Sequence, residues 1–196
     1  MVVAAEDREP PRRWQVDGPP FENGIAVVVG TSGSTGEPKG VQLSREAILA
    51  SVNATHQRLG GPGNWVCPLP LHYVAGVKTG ARAAVAGTRL SVVPPDLSRL
   101  PLSEGRNYVS VVAAQLHRAL DSSASTEALS RFDAVLVGGS AIPAGLLQQG
   151  RHAGLNLVAT YGMAETCGGC VYDGAPLDGV EVTIGDDARI SLTGPM

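Results

Sequence analysis

Apolar residues in this chain fall in short runs separated by stretches rich in Gly, Pro, Ser and Thr. Residues 25–29 (IAVVV) are mostly β-branched and short enough for a buried strand. Ser44 is a good N-cap, and 45–54 behind it reads as a helix. Gly60-Gly-Pro-Gly63 is a clear break, after which 65–71 (WVCPLPL) reads as a strand ending in prolines. The pattern predicts a helix over 74–86 despite Gly76 and Gly80, and strands over 90–93 and 108–113. A helix opens at 115–120, and 132–137 is a strand running into Gly138-Gly139. Pro143 suits the first helical position of 144–152, and 155–160 is again a strand. Strand and helix thus alternate from 25 to 160, which predicts an α/β fold with a mainly parallel, doubly wound sheet and flanking helices. Beyond Cys170 the pattern changes to short β segments at 180–184 and 188–192, a short antiparallel extension. Residues 1–24, with Pro10-Pro11 and Pro19-Pro20, read as an irregular arm that Trp14 and Phe21 would dock. The expected division is arm 1–24, α/β core 25–170 and β extension 171–196, with no internal repeat.

Composition narrows the class. The chain has 196 residues, 43% apolar and 17% charged, which fits a globular protein with a real core. Its net charge of −3, without a basic tract, argues against a nucleic-acid partner. No segment approaches the apolar length of a membrane span, and the acidic N-terminus lacks a signal-peptide layout. Three cysteines, an odd number, argue for a reduced compartment rather than a disulfide scaffold. The expectation is a soluble cytoplasmic protein. No strand edge or helix face stands out as an interface, so a homo-oligomer stays open.

The chemistry concentrates in Thr31-Ser-Gly-Ser-Thr-Gly-Glu-Pro-Lys-Gly40, read as a loop between a strand and a helix. Gly33 and Gly36 let backbone N–H groups turn toward one anion. Ser32, Ser34 and Thr35 add hydroxyl donors, and Lys39 adds a charge for phosphate oxygens. The order is not that of a Walker loop, since Lys39 precedes Gly40 rather than Ser or Thr, nor is it a dinucleotide turn. Ligands in such sheets gather at the carboxyl ends of strands, and three more polar or Gly-rich strand ends should join this loop in one crevice. They are Leu69-Pro-Leu-His72, Gly138-Gly-Ser-Ala141 and Thr160-Tyr-Gly-Met-Ala-Glu-Thr166. Tyr161 offers a ring to stack on a purine, and Glu165 a carboxylate oxygen for Mg²⁺. Gly138, Gly139 and Ser140 either admit a flat ligand or form a plain turn. His72 either positions a carboxylate or is structural. Cys167-Gly-Gly-Cys170 reads as incidental, because a zinc site needs a second ligand pair and only Cys67 remains.

The loop resembles the signature loop of the adenylate-forming superfamily: the acyl-CoA synthetases, luciferases and adenylation domains. The resemblance covers nearly all the chain past Gly24, in motif order. It implies that 31–40 holds the β,γ-phosphates of ATP, that Gly138 to Ala141 lies against the adenine, and that Thr160, Tyr161, Gly162, Met163 and Thr166 serve adenine and magnesium, with Glu165 on the metal. Gly30 stands where an aromatic residue is usual, Ala164 where Thr or Ser is commoner, and Ala114 before Gln115-Leu116 where Thr is commoner. Leu69 to Gly76, Arg82 with Val85-Ala-Gly-Thr88, and 161–176 (YGMAETCGGCVYDGAP) look like the actinobacterial o-succinylbenzoate–CoA ligases of menaquinone biosynthesis. That likeness implies ATP, Mg²⁺ and coenzyme A as cofactors and 2-succinylbenzoate as the acid, bound beside His72, Gly168 and Gly169. The catalytic set it implies is Lys39, His72 and Glu165. Another adenylate former or an inactive nucleotide-binding module are the alternatives. The family's ribose-binding Asp and C-terminal domain would lie beyond Met196, so the chain is expected to be part of a longer enzyme with little turnover alone.

Overall fold

The computed structural model describes residues 24–32 and 38–196. The 25–29 run extends into β1 (Ile25–Ser32), which pairs antiparallel with β2 (Pro38–Ser44) as a hairpin of its own, Thr31 opposite Lys39. This corrects the expected strand–loop–helix order: α1 (Arg45–Arg58) starts only after the second strand. The alternation Val41, Gln42, Leu43 was the period-2 signal, and Leu43 is buried. Ser44 caps α1 as expected, its hydroxyl accepting from the Ala47 N–H at 3.0 Å. The expected arm, with Trp14 and Phe21, lies outside the described residues.

Next come β3 (Asn64–Cys67), α2 (Val74–Ala86), β4 (Leu90–Val92) and β5 (Asn107–Val112). The predicted strand over 65–71 stops at Cys67, because Pro68 and Pro70 have no N–H for a ladder. The bounds of α2 are those predicted, and Gly87 ends it in the left-handed region at φ 65°. Then α3 (Ala113–Leu120), α4 (Ser123–Ser130), β6 (Ala134–Gly138), α5 (Ala144–His152) and β7 (Leu157–Met163) follow. Helix α4 was not predicted; Pro143 is the N-cap of α5 rather than its first helical residue. A 3₁₀ turn (Ala164–Thr166) leads to β8 (Gly168–Tyr172) and β9 (Ala175–Pro176), and a separate antiparallel hairpin joins β10 (Glu181–Ile184) to β11 (Ile190–Thr193). Residue 170, the expected edge of the core, falls inside β8.

Seven strands form one sheet in the order β4-β3-β5-β6-β7-β8-β9, parallel from β4 to β7 and antiparallel beyond. Alternate side chains of a strand face opposite sides, and here both sides are covered, as parallel sheets require. Val66, Val109, Val111, Val135 and Val137 pack on one face with Leu116 of α3, Leu129 of α4, Leu146 of α5 and Phe132. Trp65, Tyr108, Ala134 and Leu136 pack on the other with Ala54 of α1, Ala83 of α2 and Tyr172 of β8. No helix among the described residues is long and apolar enough to cross a membrane.

Strands β3 and β5 are neighbours whose onward connections diverge, β3 to β4 through α2 and β5 to β6 through α3 and α4. Open α/β sheets bind ligands at such a switch point, beyond the carboxyl ends of the strands.

Candidate functional site

A cavity of about 90 Å³ opens there. Leu69 after β3, Ser110 to Val112 of β5, Gly138 at the end of β6 and Gly139 after it, Thr160 and Gly162 of β7, and Gly168 and Gly169 of β8 line it. Helix α2 supplies a wall that includes Val74, Lys78 and Arg82. Two glycines are required by packing. A Cβ at Gly162 would collide with the Gly168 carbonyl oxygen across the β7–β8 ladder. Gly168 has φ +91°, and its missing Cβ leaves the space that the Lys78 stem occupies, with Cγ 3.0 Å from where the Cβ would be. Gly138 has a packing reason of its own: a Cβ there would collide with the Thr160 hydroxyl, which donates to the Val137 carbonyl at 3.2 Å.

The electrostatics of the α2 wall are unusual. Lys78 is 1% exposed and its Nζ has no hydrogen-bond partner. Burial, then the Arg82 guanidinium, push its pKa down to about 7, against a smaller upward pull from Cys167. Arg82 is also buried; it lies over the Trp65 ring at 4.8 Å and donates to the Tyr172 hydroxyl at 2.9 Å, while its Nε has no partner. His56 of α1 is buried nearby, its pKa lowered by burial and then by Arg82 and Lys78. The ion pairs found among the described residues are His117–Asp121, Arg151–Asp173 and Arg189–Asp187; none involves Lys78 or Arg82.

The single crevice expected for all strand ends resolves into neighbouring depressions lined by β7 and the turn after it. Ser140, Ala141, Thr160 and Tyr161 line a cleft of about 290 Å³, with Tyr161 47% exposed. Tyr161 and Met163 sit on β7, not in a loop. Met163, Glu165 and Thr166 line a third depression against Ile190, Leu192 and Met196. Glu165 is exposed. The Thr166 hydroxyl lies 2.8 Å from the Gly168 carbonyl and 3.1 Å from that of Met163, and accepts from the Met163 N–H at 2.9 Å, so it holds the turn.

The hairpin packs against this turn, Val29 and Leu43 clustering with Ala164 and Cys167. Lys39 is exposed on β2, and the Thr31 hydroxyl reaches its carbonyl at 3.4 Å. Ser32 is the last residue of β1; Gly33, Ser34, Thr35 and Gly36 lie outside the described residues. His72 sits on the turn before α2 with its ring 4.3 Å from that of Tyr73, and it does not line the cavity with Gly168 and Gly169. The three cysteines are free, buried thiols whose pKa values burial raises.

Sequence reasoning missed Lys78, Ser110 and the work of Gln115, and gave Arg82 no role. Gln115 donates to the carbonyls of Pro68 at 3.1 Å and Pro95 at 2.9 Å and accepts from the Val112 N–H at 3.0 Å, tying the β3 and β5 ends together. A signal existed for the cations: Lys78 and Arg82 are the only charged residues in α2, four apart and so on one face.

A cavity walled by buried cations thus lies at the switch point of the sheet, where open α/β sheets bind ligands. Residues 3–193 match the AMP-binding enzyme family, and the chain belongs to it. It is 45% identical over 186 residues to a probable 2-succinylbenzoate–CoA ligase of Mycobacterium tuberculosis, covering 90% of this chain and 49% of that relative. An o-succinylbenzoate CoA synthetase from Bacillus subtilis, bound with a product analogue, superposes with a TM-score of 0.71 at 24% identity, covering 87% of this chain and 41% of that one. The same Bacillus protein in complex with ATP and magnesium ion gives 0.69 at 24% identity, covering 86% and 41%. At that identity the likeness is one of fold. The chain spans about half the length of the Mycobacterium relative.

Proposed function

We propose that this chain is the nucleotide- and acid-binding part of a 2-succinylbenzoate–CoA ligase that forms an acyl-adenylate and then the CoA thioester. The observation that carries the reading is that one strand, β7, and its turn line three depressions in sequence. A glycine-lined slot for the acid is followed by a cleft beside Tyr161 for a purine and then by the turn bearing Glu165. The name of the Mycobacterium relative supports the choice of acid.

A carboxylate oxygen of the acid attacks the α-phosphorus of ATP, and the bond to the β-phosphate oxygen breaks. Negative charge grows on the departing pyrophosphate. Lys39 and the N–H groups of 32–36 stabilise it. Ser140 and Tyr161 hold the adenine. Among the described residues no three His, Cys, Asp or Glu cluster as a protein-only metal site. A single carboxylate, Glu165, suits Mg²⁺, which takes one or two carboxylates and completes its shell with phosphate oxygens and water. Bound there, the ion would neutralise phosphate charge. The CoA sulfur then attacks the acyl carbon and AMP leaves. His72, outside the slot, is given no contact with the acid.

The test is ATP–pyrophosphate exchange with 2-succinylbenzoate, benzoate and octanoate side by side, in this chain extended to the full length of its Mycobacterium relative. Exchange driven by 2-succinylbenzoate alone is expected. Preference for octanoate would discard the acid assignment. Magnesium-dependent ATP binding without exchange on any acid would favour a nucleotide-binding module.

A further inference from the structure

We propose that Lys78 is the residue that selects a dicarboxylic acid for this site, its ammonium taking the carboxylate that is not activated, beside Arg82 one helical turn away. The proposal rests on the reading of the chain as an acid–CoA ligase.

Burying a cation without a counter-charge is costly, and removal of one partner from a buried pair destabilises strongly. Lys78 is in that condition: 1% exposed, with Nζ unpartnered. The groups around it offer no relief. Arg82 and His56 are cationic or neutral, and the Cys167 thiol is pushed up by burial toward its neutral form. Ser110, from β5, lines the same cavity and its hydroxyl is also buried and unpartnered. Lys78, Arg82 and Ser110 line one cavity, and each carries a buried polar atom without a partner: Nζ, Nε and Oγ. Their sum is a site for an anion with several acceptor oxygens, which a carboxylate supplies. Leu69, Val74 and Leu136 give the apolar surface for a ring.

The linkage to protons follows. With a pKa of about 7, Lys78 is largely neutral above that pH. An arriving carboxylate favours the charged form, so Nζ takes one proton from solvent and donates it into an N–H···O contact. Binding of the dianionic acid is therefore coupled to proton uptake above about pH 7, and weakens as pH rises. A monocarboxylic analogue leaves Lys78 neutral.

The experiment is titration calorimetry of this chain with 2-succinylbenzoate and with 3-benzoylpropionate, the same acid without the ring carboxylate. It is run in two buffers of different ionisation heat at about pH 8.5. The wild type should prefer the dicarboxylate and take up close to one proton with it but none with the analogue. Lys78→Met should weaken 2-succinylbenzoate about tenfold or more, leave the analogue within about twofold, and abolish the uptake. Lys78→Arg, which keeps a charge that does not titrate here, should retain part of the preference without uptake. Equal weakening of both acids in Lys78→Met, or uptake that persists in that variant, overturns the role of Lys78. Binding of 2-succinylbenzoate unaffected by Lys78→Met does the same while leaving the ligase reading intact. Failure of the wild type to bind either acid overturns both.

Discussion

The two faces of the central sheet are built from different materials. On the α3–α4–α5 side, Leu116, Leu129, Phe132 and Val135 are at most 1% exposed and all hydrocarbon or ring. On the α1–α2 side the same sheet meets Lys78, Arg82, Thr55, Thr79 and Tyr172, all buried. Some of these polar groups are satisfied within the fold: the Tyr172 hydroxyl lies 3.2 Å from that of Thr55 and accepts from Arg82. Others are not: Lys78 Nζ and Arg82 Nε belong to residues that line the cavity, while Ser51 Oγ and His56 Nε2 of α1, also without partners, do not. The first face is built of hydrocarbon, while the second carries an electrostatic cost that, on the proposal above, a bound acid relieves. A face optimised for stability alone would put hydrocarbon at position 78.

Phe132→Ala breaks the hydrocarbon side and has the largest expected effect. It should cost about 3–5 kcal/mol, read from denaturant unfolding, because Phe132 is 1% exposed in a dry cluster. Any folded fraction should bind the acid as before. A loss of acid affinity at full folding would dissolve the division of labour between the faces.

Lys78→Met tests the other side with the opposite sign. Replacing an uncompensated buried cation with hydrocarbon should stabilise the chain by about 1–4 kcal/mol near neutral pH. The pH dependence is fixed by the lowered pKa. Between about 7 and the ordinary lysine value of 10.5 the unfolded chain holds a proton that the folded chain has lost. Stability contributed by this group therefore rises as pH climbs through that window and is flat below it, where both states are protonated. Thermal midpoints of the wild type should climb relative to the variant from about pH 7 to about pH 10. Parallel curves would mean that Lys78 reaches solvent.

Gly169→Val sharpens the boundary between the faces and the slot. A Cβ there would sit 3.1 Å from the Tyr172 ring and 3.3 Å from the Thr160 Cβ, so it presses on the polar face rather than merely filling space. A destabilisation of about 1–3 kcal/mol is expected alongside weaker acid binding. Loss of acid affinity with an unchanged thermal midpoint would show that the bulk projects into the slot alone.

Much of this was legible in advance, for physical reasons that differ by element. Helices α2 and α5 were bounded correctly by their patterns and flanking Gly and Pro. Gly138, Gly139 and Gly162 lie in the glycine-bearing strand ends that the sequence singled out, whereas Gly168 and Gly169 were named only through the family resemblance; all five line the cavity. The β1–β2 hairpin was missed because Val41-Gln-Leu43 is a short alternation beside a stronger loop signal. Helix α4, SASTEALS, was missed because its burial is confined to Leu129 and leaves little periodicity. Lys78 was illegible as a site residue because a helical lysine is ordinarily solvated. Only the pairing of α2 with β3 and β8 shows that this one points inward.

The smallest stability effect belongs to Lys39→Ala, and it separates nucleotide from acid. Lys39 is exposed on β2, two residues after the stretch that lies outside the described part, with its carbonyl 3.4 Å from the Thr31 hydroxyl. Truncating a solvated strand lysine should shift unfolding by no more than about 0.5 kcal/mol in either direction. Lys78, a buried cation, should change stability when replaced; Lys39, a hydrated one, should not. If Lys39 meets the phosphates, ATP affinity should fall by about tenfold while 2-succinylbenzoate still binds. The contrast is then complete: one lysine that matters to folding and to the acid, and one that matters to neither but to the nucleotide. Unchanged ATP affinity in a calorimetric titration, at an unchanged thermal midpoint, would remove Lys39 from the phosphate site and leave the α2 wall as the only cationic element with a ligand to bind among the described residues.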